Sequence, residues 1–140
     1  MNYQQKVSIE EIQQKSGEIE EIGNRLAQLH LELGGAKRAA LEASRTYEAE
    51  KAIAVYREMA KPGNSLQAGK NAEERKVARD AFDVGLDRGA LNGYLQNLDL
   101  AQERVSDISS EIASLQARFD AMKIVHQGNI AVLECKPSYV

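Results

Sequence analysis

The sequence predicts an all-α protein: a long antiparallel coiled-coil helical hairpin with a short extended tail at its C-terminus. Three observations predict it. Two stretches of the chain carry apolar residues at heptad spacing. One segment of turn chemistry, Lys61 to Lys70, separates them. The composition, rich in alanine, leucine, glutamate, glutamine and Lys/Arg, is that of long helices, and with no tryptophan and only two phenylalanines it argues against a compact aromatic core.

The first helix is expected over about residues 8–60. Ser8 can cap it, with Glu11 closing a capping box and Val7 facing Ile12 as a hydrophobic staple. Ile12, Ile19, Leu26, Leu33, Ala40 and Tyr47 then recur every seven residues, and Ile22, Leu29, Ala36 and Ala43 sit three residues after four of them. Gly34 and Gly35 interrupt this helix at a cost of about 1 kcal/mol each relative to alanine. The heptad phase survives them unchanged, so a continuous helix is expected. Pro62 and Gly63 stop it.

Residues 61–70 (KPGNSLQAGK) form the loop. Asn71 reads as the next N-cap with Glu74 at N3, opening a second helix over about residues 72–127. Leu91, Leu98, Val105, Ile112 and Phe119 make one heptad row, and Tyr94, Ala101, Ile108, Leu115 and Met122 the other. Gly128 reads as its stop, which leaves residues 128–140 as the tail, with an apolar, β-prone start at Ile130–Cys135. A short loop makes the two helices antiparallel neighbours, and aligning the seams about it pairs residues whose numbers sum to about 131. Ile12 then meets Phe119, and Leu26 meets Val105.

All of this fits one domain over residues 1–140. A second apolar set falls outside the seams: Leu31, Leu41, Ile53 and Tyr56 on the first leg, Leu86, Leu95, Leu100 and Val125 on the second. A lone hairpin would expose them, so a homodimer, two hairpins in a four-helix bundle, is expected.

The net charge of −3 supplies no global attraction for nucleic acid or anionic membrane. It is unevenly spread. Residues 34–90 hold eleven Lys/Arg against nine acids, whereas residues 1–33 hold three against six, and residues 91–140 four against six. The legs are acidic and the tip mildly basic. One cysteine, Cys135, excludes an internal disulfide framework and suits a reducing cytosol. The start of the chain lacks the apolar run of a secretion signal, and no stretch approaches the roughly 20 apolar residues of a membrane span. A cytoplasmic protein with no membrane partner is the expectation.

Few residues invite chemistry. Gly63, Gly69 and Lys70 fail as a phosphate loop, because the spacing is wrong, Asn71 stands where a Ser/Thr would hold magnesium, and a helix precedes them. His30 and His126 lie far apart along the seams, and a metal site needs three or four converging ligands. Asp80, Asp83 and Asp87 are explained by ion pairs with Arg79 and Arg88. Ala81, Gly85, Gly89 and Gly93 form a small-residue stripe that lets a neighbour approach, with Tyr47 over Gly85 as the concrete case. No catalytic, cofactor or metal residues are assigned, and no enzyme activity is expected.

The remaining candidate is the tip: Arg57, Lys61, Lys70, Asn71, Arg75, Lys76 and Arg79. Charge runs on helices are usually solvated faces, and Glu58, Glu73 and Glu74 offset half of this one. No aromatic residue is interleaved to stack on bases.

The helix pair around a loop leading into Gly69-Lys70-Asn71, with Arg75 following, resembles small helical proteins of phages and prophages, many of them without assigned function. The resemblance covers the hairpin layout and Gly69 to Lys76. It implies a phage accessory protein acting in the host cytoplasm, in or near DNA replication and recombination, and it brings no catalytic residues. The expected function is a non-enzymatic interaction or scaffold protein that binds itself and a further protein. A nucleic-acid accessory protein using the basic tip is the alternative, and a ligand-sequestering protein with a site between subunits the third.

Overall fold

A computed structural model describes residues 8–64, 66 and 69–135. All regular structure among them is helical: α1 (Ile9–Met59), α2 (Ala72–Arg88) and α3 (Asn92–Glu134). The start of α1 follows its capping box. Glu11 N–H donates to Ser8 Oγ at 3.1 Å, and Ser8 N–H to Glu11 Oε2 at 3.4 Å. Val7, the proposed staple, lies outside the described residues. The helix continues through Gly34 and Gly35, and a Cβ on either would meet nothing within 4 Å. These glycines are therefore not needed for packing.

The second leg differs from the single helix expected over residues 72–127. It breaks at Gly89, Ala90 and Leu91. Gly89 closes α2, its N–H donating to Gly85 O (3.0 Å) and Leu86 O (3.2 Å), and Leu91 N–H turns back to Leu86 O at 2.8 Å. Leu91 is 3% exposed, so the break seats the first residue of the heptad row in the core. The C-terminal end also differs. Gly128 does not stop α3, which continues to Glu134, so residues 128–134 are helical rather than an extended tail. Residues 136–140 lie outside the described residues.

The chain forms two compact units, Met1–Gly34 with Asp107–Val140, and Gly35–Ser106. In the first, Leu26 and Leu29 of α1 and Ile108 of α3 are buried. Ile12, Ile19, Ile22, Ile112, Leu115, Phe119 and Met122 are half-buried beside them. The helical segments run antiparallel. Arg25 donates to Glu111 at 3.2 Å, and the Phe119 ring stands 3.5 Å from where a Gly23 Cβ would be. The paired numbers sum to 136 and 142, about one heptad beyond the expected 131, so Ile12 does not face Phe119. A slip of one heptad returns every seam residue to the inner face, which is why burial alone could not choose the register.

In the second unit Ala36, Tyr47, Leu66 and Leu91 are buried. Leu98, Ala101 and Val105 are half-buried, and Tyr94 is the one seam residue classed as exposed. α2 contributes no fully buried residue. Of the apolar set expected outside the seams, Leu31, Leu41, Ile53, Tyr56, Leu100 and Val125 are exposed, whereas Leu86 and Leu95 are half-buried. Among the described residues no helix is long and apolar enough to cross a membrane.

Candidate functional site

The connection between α1 and α2 is more constrained than its turn-rich sequence suggests. Lys61 Nζ lies 3.3 Å from Glu58 Oε2, and the Asn64 side chain donates to the carbonyls of Met59 and Lys61 at 3.4 and 3.5 Å. These bonds close the C-terminal turn that Pro62 cannot continue. Leu66 is buried in a depression of about 280 Å³ shared with Val55, Met59 and Arg79, an apolar anchor that the loop reading missed. Its signal was a lone leucine among turn residues.

Gly69 sits at φ 129°, where a Cβ would stand 2.5 Å from Glu74 Cβ, so only glycine fits. The cap beyond it is tight. Glu74 N–H donates to Asn71 Oδ1 at 2.9 Å, and the Glu74 carboxylate accepts from Lys70 N–H at 2.6 Å, one residue further back than an ordinary capping box. Asn71 is thus a structural cap whose carbonyl oxygen is committed to α2.

The structure brings three of the candidate cations together. Arg75, Lys76 and Arg79 line one shallow depression on the first turns of α2, of about 240 Å³, with Ala72 between them. All three are exposed, as are Arg57, Lys61, Lys70 and Asn71. Among the described residues Arg57, Arg75, Lys76 and Arg79 form no salt bridge, whereas Lys61 is held by Glu58. Glu73 and Glu74 occupy the first turn of α2, where they complement its N-terminal dipole. Tyr56, next to Arg57 in the chain, is 75% exposed.

A further polar contact in this unit ties α1 to α2. Tyr47, a buried seam residue, donates its hydroxyl to Asp87 of α2. The hydrogen bond to Asp87, then burial, then the neighbouring negative charges push the phenol up to about 12. Asn92 reinforces the corner, its side chain donating to Asp87 O at 3.3 Å. The ion pairs expected for Asp80, Asp83 and Asp87 with Arg79 and Arg88 are not formed among the described residues. Nor does Tyr47 fill a groove over Gly85: a Cβ there, or on Gly93, would meet nothing within 4 Å. The small-residue stripe is open surface, apart from Gly89 at the helix break.

A further depression of about 270 Å³ lies in the first unit, lined by Lys15, Ala121, Met122, Val125 and His126. His126 Nδ1 is buried there without a hydrogen-bond partner among the described residues, and Lys15 holds Glu18 at 3.2 Å. His30 is exposed, and so is Cys135 at the end of α3. Among the described residues no group of three or more His, Cys, Asp or Glu is placed to hold a metal ion. No protein-family model, curated protein or solved structure matches this chain.

Proposed function

We propose that the chain is a non-enzymatic helical interaction protein that binds a second copy of itself and offers the α1–α2 connection to a further partner. The observation that carries this reading is the contrast between the two faces of its helices. The heptad rows are covered, while Leu31, Tyr56, Leu100 and Ile124 outside them are 64–78% exposed. Apolar side chains left uncovered on helices whose inner faces are already used favour association. On this reading the heptad rows form an antiparallel coiled-coil hairpin, and two hairpins about a two-fold axis complete a four-helix bundle. The likeness of Gly69–Lys76 to phage proteins suits an accessory role of this kind.

Association stabilises the folded state by mass action, so the thermal midpoint should rise with concentration, for instance between about 2 and 200 µM chain. A midpoint independent of concentration over that range contradicts the reading.

The cluster of Arg75, Lys76 and Arg79, without salt bridges among the described residues, favours a second reading, contact with a nucleic-acid backbone. Its test is binding to single-stranded DNA as a function of salt. Replacing all three cations by alanine should flatten the log–log salt dependence by about 2, at roughly 0.7 per phosphate contact. An unchanged slope removes this reading.

A further inference from the structure

The Gly35–Ser106 unit carries a second heptad row on α1, turned away from the row that holds Ala36 and Tyr47. Ala49, Ala52, Tyr56 and Met59 recur at spacings of three and four, and Ile53 and Ala60 widen the row. All six are exposed, Tyr56 by 75% and Met59 by 60%, and no charged residue falls within the strip they form. At 3.6 residues per turn, its centre lies on roughly the opposite side of α1 from Tyr47. Tyr47 is bonded to α2 through Asp87 on the other side of α1, and only at the end of the row does Met59 border the depression that holds Leu66 and Arg79.

We propose that this row is the surface on which a second copy of the chain docks, α1 against α1, antiparallel about a two-fold axis. The inference rests on the self-association reading and names its site. The row supplies its own complement. Antiparallel pairing with residue numbers summing to about 108 sets Ala49 against Met59 of the partner subunit and Ala52 against Tyr56 of the partner subunit. The symmetry repeats both layers in reverse. Each of the four layers then joins one alanine to one large side chain, the alternation that fills an interhelical space at native density. A parallel pairing would set alanine against alanine and tyrosine against tyrosine, leaving voids beside crowded layers.

The charges agree. Arg45, the next residue of the row, lies past the end of the partner's helix, which closes at Met59, so no charge falls within the four layers. The size of the row sets the strength. An aromatic side chain buries about 150–250 Å², and with Tyr56 75%, Met59 60% and Ile53 43% exposed the row contributes at most about 500 Å² per copy. The total of about 1,000 Å² is at the low end for a specific interface and fits a micromolar rather than a nanomolar dimer.

Sedimentation equilibrium on two exposed-site variants tests the pairing. Ala52→Glu and Tyr56→Lys should each weaken self-association at least tenfold while leaving helical content unchanged. Mixed in equal amounts, they should recover a heterodimer, because one layer then joins opposite charges and its symmetry mate stays native. Gln102→Lys, at an exposed position of α3, should dimerise like the parent chain. Recovery on mixing supports the antiparallel row. If the parent associates but neither α1 variant weakens it, or the mixture fails to recover, the docking surface lies elsewhere and this inference falls while self-association stands. A parent chain that never exceeds its monomer mass overturns both.

Discussion

Tyr47 shows what a heptad position can and cannot reveal. Its place in the row at Ile12, Ile19 and Leu26 spacing marked it for burial, and it is buried. The spacing carries no information on its hydroxyl, because periodicity ranks faces and not partners, and the ion pairs expected of Asp87 are not formed among the described residues. The raised phenol pKa makes the bond measurable. With a folded value of about 12 against an ordinary 10, the stability held by the neutral phenol is complete below pH 10 and is lost as pH rises toward 12. Tyr47→Phe should destabilise the fold by about 1–2 kcal/mol at neutral pH, as loss of a hydrogen bond to a charged acceptor does. It should also remove the late-titrating phenol from the ultraviolet absorbance titration. A parent chain with all its tyrosines ionised by pH 11 would contradict the assignment. The glycines divide in the same concrete way. Gly34→Ala and Gly35→Ala meet open space inside a helix and should each stabilise by about 0.5–1 kcal/mol. Gly69→Ala, with positive φ and Glu74 against its Cβ, should cost more than about 1 kcal/mol. Thermal or urea unfolding of the three variants decides whether the signs are right.

Among the elements, α1 was legible almost to the residue, because its cap, its seam and its Pro62-Gly63 stop all act locally. The second leg was legible in its faces but not in its ends. Gly89 reads as one more small residue in a stripe, and nothing in an ideal 3.6-residue period distinguishes a helix that runs on from one that turns and restarts in phase. The available clue was that the heptad row begins only at Leu91, with residues 72–88 outside it. At the other end, Gly128 suggested a stop, yet the row of Phe119 continues through His126 to Leu133, both half-buried, and outweighs one glycine. The register slipped by a heptad for a related reason: a repeat cannot specify its own offset. At the tip, the cations and the Asn71 cap were legible, whereas Leu66 was hidden among turn residues whose burial depends on distant Val55 and Met59. Burial now ranks the side chains. Ile108→Ala and Leu91→Ala should each cost about 2–5 kcal/mol, whereas exposed Arg75→Ala should cost less than about 0.5 kcal/mol. Equal losses in urea unfolding would mean that the basic turn of α2 supports the fold.

At the scale of the molecule, the balance of covered seams against uncovered outer rows decides the functional reading. The buried side chains form two narrow sets, Leu26, Leu29 and Ile108 in one unit and Ala36, Tyr47, Leu66 and Leu91 in the other. On the proposed reading, association supplies what a thicker core would supply internally. The exposed Arg75, Lys76 and Arg79 of α2 are the surface proposed for a second partner, and the salt dependence of binding would separate a nucleic acid from a protein there. Self-association comes first, and the mass of the chain in solution tests it most directly. Sedimentation equilibrium from low to high micromolar concentration should give a weight-average mass that climbs from near 15.4 kDa toward twice that value. A constant 15.4 kDa across the range would contradict it, and would mean that Tyr56 and Met59 stay in water.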